Sequence, residues 1–156
     1  MHSNLNTFDR LLSIDRFQTF TRLIEGTEIE KTLRSRKAFT LFAPVDEGFS
    51  NLPRDFLDKL IRARNTPILL EVWRHHLVGR TVRAHELAAR QSMTTEEGHD
   101  LKITNTEAVL WINNAKIVSP NIDTSNGIIH GIDELLIPGE IALVKYLGLS
   151  RSLLMR

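Results

Sequence analysis

The sequence contains no cysteine in 156 residues. A disulfide framework, a zinc-thiolate or iron–sulfur site and a cysteine nucleophile are therefore excluded. Charge of one sign is also scarce: twenty Lys and Arg face nineteen Asp and Glu, a net charge of +1. That excludes a chain-wide polyanion binder and an acidic tail, but not a local patch. Long apolar runs are missing. The segment Met1–Arg10 has neither the positive n-region nor the 7–15 apolar residues of a secretory signal. No run approaches the roughly 18 residues of a membrane span. The expectation is a cytosolic protein, or one whose export signal lies outside this chain. Common catalytic motifs are missing as well: no G-x-S-x-G elbow, no P-loop, no Rossmann glycine fingerprint. His85-Glu86 begins like H-E-x-x-H, but position 89 is Ala.

What is present suits one soluble domain, with 42% hydrophobic and 25% charged residues. Phe8, Leu11 and Leu12, then Phe17, Phe20, Leu23 and Ile24, keep a helical period with charged residues outward. Gly26-Thr27 stops one helix and starts another, with Thr27 as N-cap and Glu30 completing a capping box. Phe39–Phe42 reads as a short strand closed by Pro44. Pro53–Leu60 and a helix from Thr66-Pro67 to near Gly79 follow. After about residue 91 the period becomes two. Asn113-Asn114 suits a hairpin, Ala115–Val118 its return strand, and Asn126-Gly127 a second tight turn before Ile128–Ile132. A final helix is expected over Glu140–Leu147. Helices first and strands later argue for an α+β fold.

Several residues invite a chemical reading. In the pair His75-His76, side chains diverge by about 100° at a helix end, so one shared metal is disfavoured. The expectation is one packed, hydrogen-bonded imidazole and one solvated imidazole, with no metal and no cofactor. His130, inside an apolar run, reads as a buried neutral histidine. Residues 61–90 hold Arg62, Arg64, Arg74, Arg80, Arg83 and Arg90 against Glu71 and Glu86. The arginines at 62, 64, 74, 80 and 83 form a possible anion patch. Interleaved exposed aromatics are lacking, so nucleic acid is not expected as a partner. Asp46, ahead of Gly48-Phe49, reads as a helix cap.

Two segments carry a resemblance. Thr40-Leu41-Phe42-Ala43-Pro44-Val45-Asp46-Glu47-Gly48-Phe49, with Leu52-Pro53, is followed some 75 residues later by Asn126-Gly127-Ile128-Ile129-His130-Gly131-Ile132-Asp133-Glu134-Leu135-Leu136-Ile137-Pro138. In order and separation they resemble the two signature segments of the fasciclin domain family. The resemblance covers roughly residues 4–138 and implies a β-wedge of two sheets with N-terminal helices packed against it. It implies one domain over residues 1–140, then a C-terminal helix and tail over 141–156. It brings the two segments together, with Thr40, Asp46, Asn126 and His130 supplying polar contacts. It also implies adhesion or matrix association, without enzymatic activity, in an extracellular or periplasmic setting. The partner would be a protein or polysaccharide at a cell surface.

Animal members of the family engage integrins through a Tyr-His and an Asp-Ile motif. Here these positions fall on His75-His76 and, after Pro120, on Asn121-Ile122. The replaced tyrosine and the missing carboxylate argue against an integrin. His75, His76, Asn121 and Ile122 are carried over as candidate partner-binding residues. Two alternatives stand beside this reading: a small-ligand binder or enzyme with a pocket between the sheets, and an anion-binding surface.

Overall fold

A computed structural model of the chain describes residues 4–50 and 52–137. The expected helix over Glu140–Leu147, Pro138 and the 141–156 tail lie outside the described residues.

The N-terminal apolar stripe does fold as helix, but in pieces. Helix α1 spans Thr7–Leu12, and Asn6 caps it by accepting from the Asp9 amide. Ser13 ends it: its hydroxyl donates to Arg10 O at 2.7 Å, and Ile14 turns extended. After a 3-10 turn over Asp15–Phe17, α2 runs Gln18–Ile24. Helix α3, Glu28–Arg34, is capped by Thr27, which accepts from Ile29 N. Glu30 reaches back one residue further than a capping box requires and accepts from Gly26 N at 2.9 Å. Helices α4 (Arg54–Ala63) and α5 (Pro67–Arg74) follow. Helix α5 stops well short of Gly79, because Leu77–Val78 leave it to form strand β2.

Strand β1 is Phe39–Pro44, and every residue in it is buried. The short helix α6 (Ala84–Leu87) and strand β3 (Ser92–Thr94) come next. Then β4 (Asp100–Thr106), β5 (Val109–Ile112), β6 (Ala115–Asp123) and β7 (Gly127–Ile132) complete the described elements. The expected return strand is thus longer, with two register irregularities in β6. Besides the Asn113 turn, at φ +53°, a second hairpin turns through Glu107 and Ala108 at φ +52° and +64°.

The expectation of two sheets is corrected. All seven strands lie in one sheet of order β2-β1-β7-β6-β5-β4-β3. It curls into a near-barrel, because Glu96 N, just past β3, donates to Leu77 O of β2 at 2.8 Å. The parallel β1–β7 pair lies at its heart and brings the two signature segments side by side, from Phe39↔Gly127 to Pro44↔Ile132. A Cβ at Gly127 would collide with the Phe39 carbonyl, so that register requires glycine there.

Strand alternation divides the core. Phe39, Leu41 and Ala43 face the helical layer with Phe17, Phe20, Leu23, Phe56 and Trp73. Phe42 faces the barrel interior with Val82, Leu87, Leu101, Ile112 and Ile132. Helices packed on one side of a curled sheet follow directly from a strand apolar on both faces.

Candidate functional site

Three of the polar residues singled out from sequence, Thr40, Asn121 and His130, converge on one loop, Arg80–Ala84, which leads from β2 into the first residue of α6. Thr40, fully buried on β1, binds it twice. Its hydroxyl donates to Arg80 O at 2.6 Å and accepts from Val82 N at 2.8 Å. His130 on β7 binds it from below, with Nε2 donating to Val82 O at 2.7 Å. The other ring nitrogen accepts from Asn121 N at 3.1 Å, which defines the neutral Nε2–H tautomer. Burial holds this imidazole below its ordinary titration range. Its ring also stacks on Phe42 at 5.7 Å.

Asn121 continues the network. It sits in the irregular part of β6 at φ +57°, a left-handed conformation that asparagine tolerates better than most residues. Its side chain accepts from Ala84 N at 2.9 Å and caps α6 from another strand. Arg83 pairs with Asp123 at 2.8 Å, and its backbone N–H donates to Glu86. The next residue, Ile122, is half-buried against the helical-side core. Three strands thus hold one exposed loop by side-chain bonds.

Asn126 performs a similar task at the N-terminal side. Its carbonyl accepts from the Thr7 amide and hydroxyl at 2.9 and 2.8 Å. Its amide donates to Leu33 O and Ser35 O at 2.9 and 2.6 Å. One asparagine therefore joins the start of α1, the end of α3 and the turn into β7. Asp46 accepts from Thr19 N at 2.8 Å, so it caps α2 from the first signature segment.

The two adjacent histidines are both buried, at 3% and 0% exposure, rather than one packed and one solvated. They point to different partners. His76 Nδ1 donates to Val72 O at 2.8 Å, and Nε2 accepts from Leu136 N at 2.9 Å. Burial pushes its pKa down to about 3. The ring lies against Phe20 and Trp73. His75 Nδ1 meets Glu97 Oε1 at 2.9 Å and Thr95 Oγ1 at 3.3 Å. Burial lowers its pKa too. The second oxygen of Glu97 is bonded by the ring of exposed His99. Burial works to raise the Glu97 pKa, but the ring and backbone of His99 more than offset it, so the carboxyl stays below its ordinary range. Both Glu97 oxygens are engaged by imidazoles, and no cluster able to hold a metal is found among the described residues.

Of the five arginines in the possible anion patch, three have intramolecular partners. Arg64 donates to Glu25 O and Ile61 O, Arg74 pairs with Glu28, and Arg83 with Asp123. Arg62 lies exposed on α4, and Arg80 lies exposed on the loop. Cavities lined by described residues include a groove of about 430 Å³ between Ala84, Val109, Ile117 and Pro120. Another, of about 330 Å³, lies between Gly79-Arg80 and Ser92–Thr94 and includes Arg90. Neither brings a histidine and a carboxylate together. No helix among the described residues is long and apolar enough to cross a membrane.

Comparison with known proteins places this architecture. The Fasciclin domain family model matches residues 15–138. The uncharacterized protein sll1735 of Synechocystis is 30% identical over 134 residues, covering 86% of this chain and 98% of that protein. The transforming growth factor-beta-induced protein ig-h3 of Sus scrofa is 29% identical over 135 residues, covering 85% of this chain and 20% of that one. Human stabilin-1 is 34% identical over 112 residues, covering 70% of this chain and 4% of its own length. Among solved structures, a FAS1 domain pair from the insect cell adhesion molecule fasciclin I superposes with a TM-score of 0.72 at 18% identity, over 88% of this chain and 52% of that one. The two paired segments, the helical layer and these matches agree: this chain belongs to the fasciclin domain family.

Proposed function

We propose that the chain is a non-enzymatic interaction domain that recognises a protein or polysaccharide at a cell surface or in a matrix, outside the cell or in the periplasm. The observation that carries this reading is the Arg80–Ala84 loop, exposed at Arg80 and Thr81 yet bonded on its inner side by Thr40, His130 and Asn121. A preorganised loop on a rigid sheet lowers the ordering cost of binding. The buried histidines are consumed in structural bonds and stay neutral at pH 7, so they serve packing rather than acid–base chemistry. Relatives support the reading by name, since fasciclin I is a cell adhesion molecule.

In this proposal His75 and His76 are positioning residues beneath the surface. Asn121 and Ile122 shape the β6 edge beside the loop, next to exposed Pro120. An integrin is not the proposed partner, because position 121 carries no carboxylate.

The test is fractionation of the native full-length protein from its own cells, followed by aggregation of beads coated with the purified chain. Surface or periplasmic recovery, with partner-dependent bead clustering, is the expected result. Purely cytosolic material would overturn the reading.

A further inference from the structure

Strands β2 and β3 are the two ends of the sheet order, and the Glu96 N to Leu77 O bond joins them at one point. Beyond that bond the edges part around the cavity of about 330 Å³ lined by Val78, Gly79, Arg80, Arg90, Ser92 and Thr94. Backbone alternation determines which groups face the gap. Gln91 O accepts from Ile103 N, and Thr95 N donates to His99 O. Residues 91, 93 and 95 therefore direct their backbone bonds toward β4 and its turn. Ser92 and Thr94 direct theirs into the gap. Across it, Phe42 N donates to His76 O, and Thr40 stands opposite Val78. Residues 76 and 78 thus bond toward β1, leaving Leu77 and Gly79 facing the gap.

The charges are arranged along the same opening. Among the described residues, the side chains of Arg80 and Arg90 make no ion pair or hydrogen bond, although both line the cavity. The Glu96 carboxylate lies against Gly79, where its Oε2 would stand 2.6 Å from an added Cβ, and the Asp100 carboxylate on β4 accepts from Thr94 Oγ1 at 2.7 Å. Glu96 thus occupies the closed end of the seam, and the guanidinium groups flank the open end. Gly79 itself adds no side chain to obstruct the gap.

We propose that this seam binds an extended acidic segment of a partner protein, which adds as a strand along the free edge of β3 and places its carboxylates on Arg80 and Arg90. Main-chain bonds to an open edge supply affinity, and alternate side chains supply selection. Two acidic residues spaced i, i+2 fall on one face of such a strand. The proposal rests on the interaction reading above and names the chemistry of the partner.

The experiment titrates the folded full chain with a capped seven-residue peptide of alternating Val and Glu, followed by amide NMR and calorimetry. Binding is expected, with slowed exchange of the Gly79, Ser92 and Thr94 amides. Arg80→Ala and Arg90→Ala each weaken it about tenfold, the loss of one charge-assisted contact. The Val-Lys counterpart does not bind. Ser92→Pro, which removes an edge N–H facing the gap, also weakens it. Should that variant fail to fold, a peptide N-methylated at alternate residues tests the same bond from the ligand side. Equal binding of the N-methylated peptide, indifference to both arginine variants, or no binding at millimolar peptide would overturn the proposal. So would arginine-dependent binding of a heparin fragment without peptide binding, since that is polyanion capture. Bead clustering that survives in the Arg80→Ala/Arg90→Ala variant would overturn the seam and leave the interaction reading intact.

Discussion

His130 Nε2 donates to Val82 O at 2.7 Å, across 48 residues, from the interior of β7 to a loop that reaches the surface. Because Asn121 N satisfies the other ring nitrogen, the imidazole is a neutral bridge between two backbones. Removing it leaves two buried polar groups without a partner, besides a void beside Phe42. His130→Ala is expected to lower stability by roughly 2–4 kcal/mol. Urea unfolding followed by circular dichroism measures this, and an unchanged midpoint would contradict the bridge.

Thr40 and His130 both bind the Val82 backbone, one through its N–H and the other through its C=O, on the two peptide units that flank Val82 Cα. Groups sharing a partner couple. In a double-mutant cycle of Thr40→Val and His130→Ala, a non-additivity of about 1 kcal/mol is expected. Simple additivity in equilibrium unfolding would separate the two residues.

Stability should fall on mild acidification. The folded His76 pKa is about 3, against 6.5 in an unfolded chain, and burial also holds His75 and His130 below that value. The unfolded state therefore binds more protons below about pH 6.5. The stability these neutral rings contribute is complete above that pH and is lost progressively toward pH 3. Each histidine adds up to about 1.4 kcal/mol per pH unit. Between pH 6.5 and 5 ordinary carboxylates contribute little, and Glu134, raised by burial, acts with the opposite sign, so comparison with a histidine variant isolates the ring. His76→Gln should flatten the slope of unfolding free energy against pH there, and an unaltered slope would refute the assignment.

The left-handed turn at Asn121 separates two effects. Asn121→Gly keeps the conformation but loses the cap on Ala84 N, at a cost of about 1 kcal/mol. Asn121→Ala adds the backbone penalty of a Cβ at positive φ and is expected to cost about 2 kcal/mol or more. Thermal unfolding should rank them in that order. The reverse order would show that the left-handed backbone at position 121 does not set the ranking, and a glycine variant as stable as the parent would show that the cap contributes nothing.

Local signals were legible in the sequence, and of the distant pairings only the β1–β7 pair was, through the family resemblance of its two segments. Asn126-Gly127 reads as a turn because two adjacent residues encode it, and Thr27 reads as a cap because its helix follows at once. Asp46 reads as a cap from its neighbours, but the amide it caps, that of Thr19, lies 27 residues earlier, which no local pattern reveals. One of the adjacent histidines reads as solvated, yet both are buried, because Glu97, the partner of His75, arrives from a turn 22 residues later. Helix α6 and strand β3, four and three residues long, are too short to show a period. The Glu107-Ala108 turn lacks glycine and asparagine, so nothing in its composition marks it. Arg90 was visible only as one more arginine until the sheet curled and set it opposite Arg80.

The central claim is that an exposed loop is held in one conformation by the interior. Native-state hydrogen exchange of the Val82 and Ala84 amides tests it most directly, because those N–H groups donate to the side chains of Thr40 and Asn121. Exchange as slow as that of the β1 and β7 amides, opening only with global unfolding, is the predicted result. Exchange at the rate of an unprotected surface loop would contradict it.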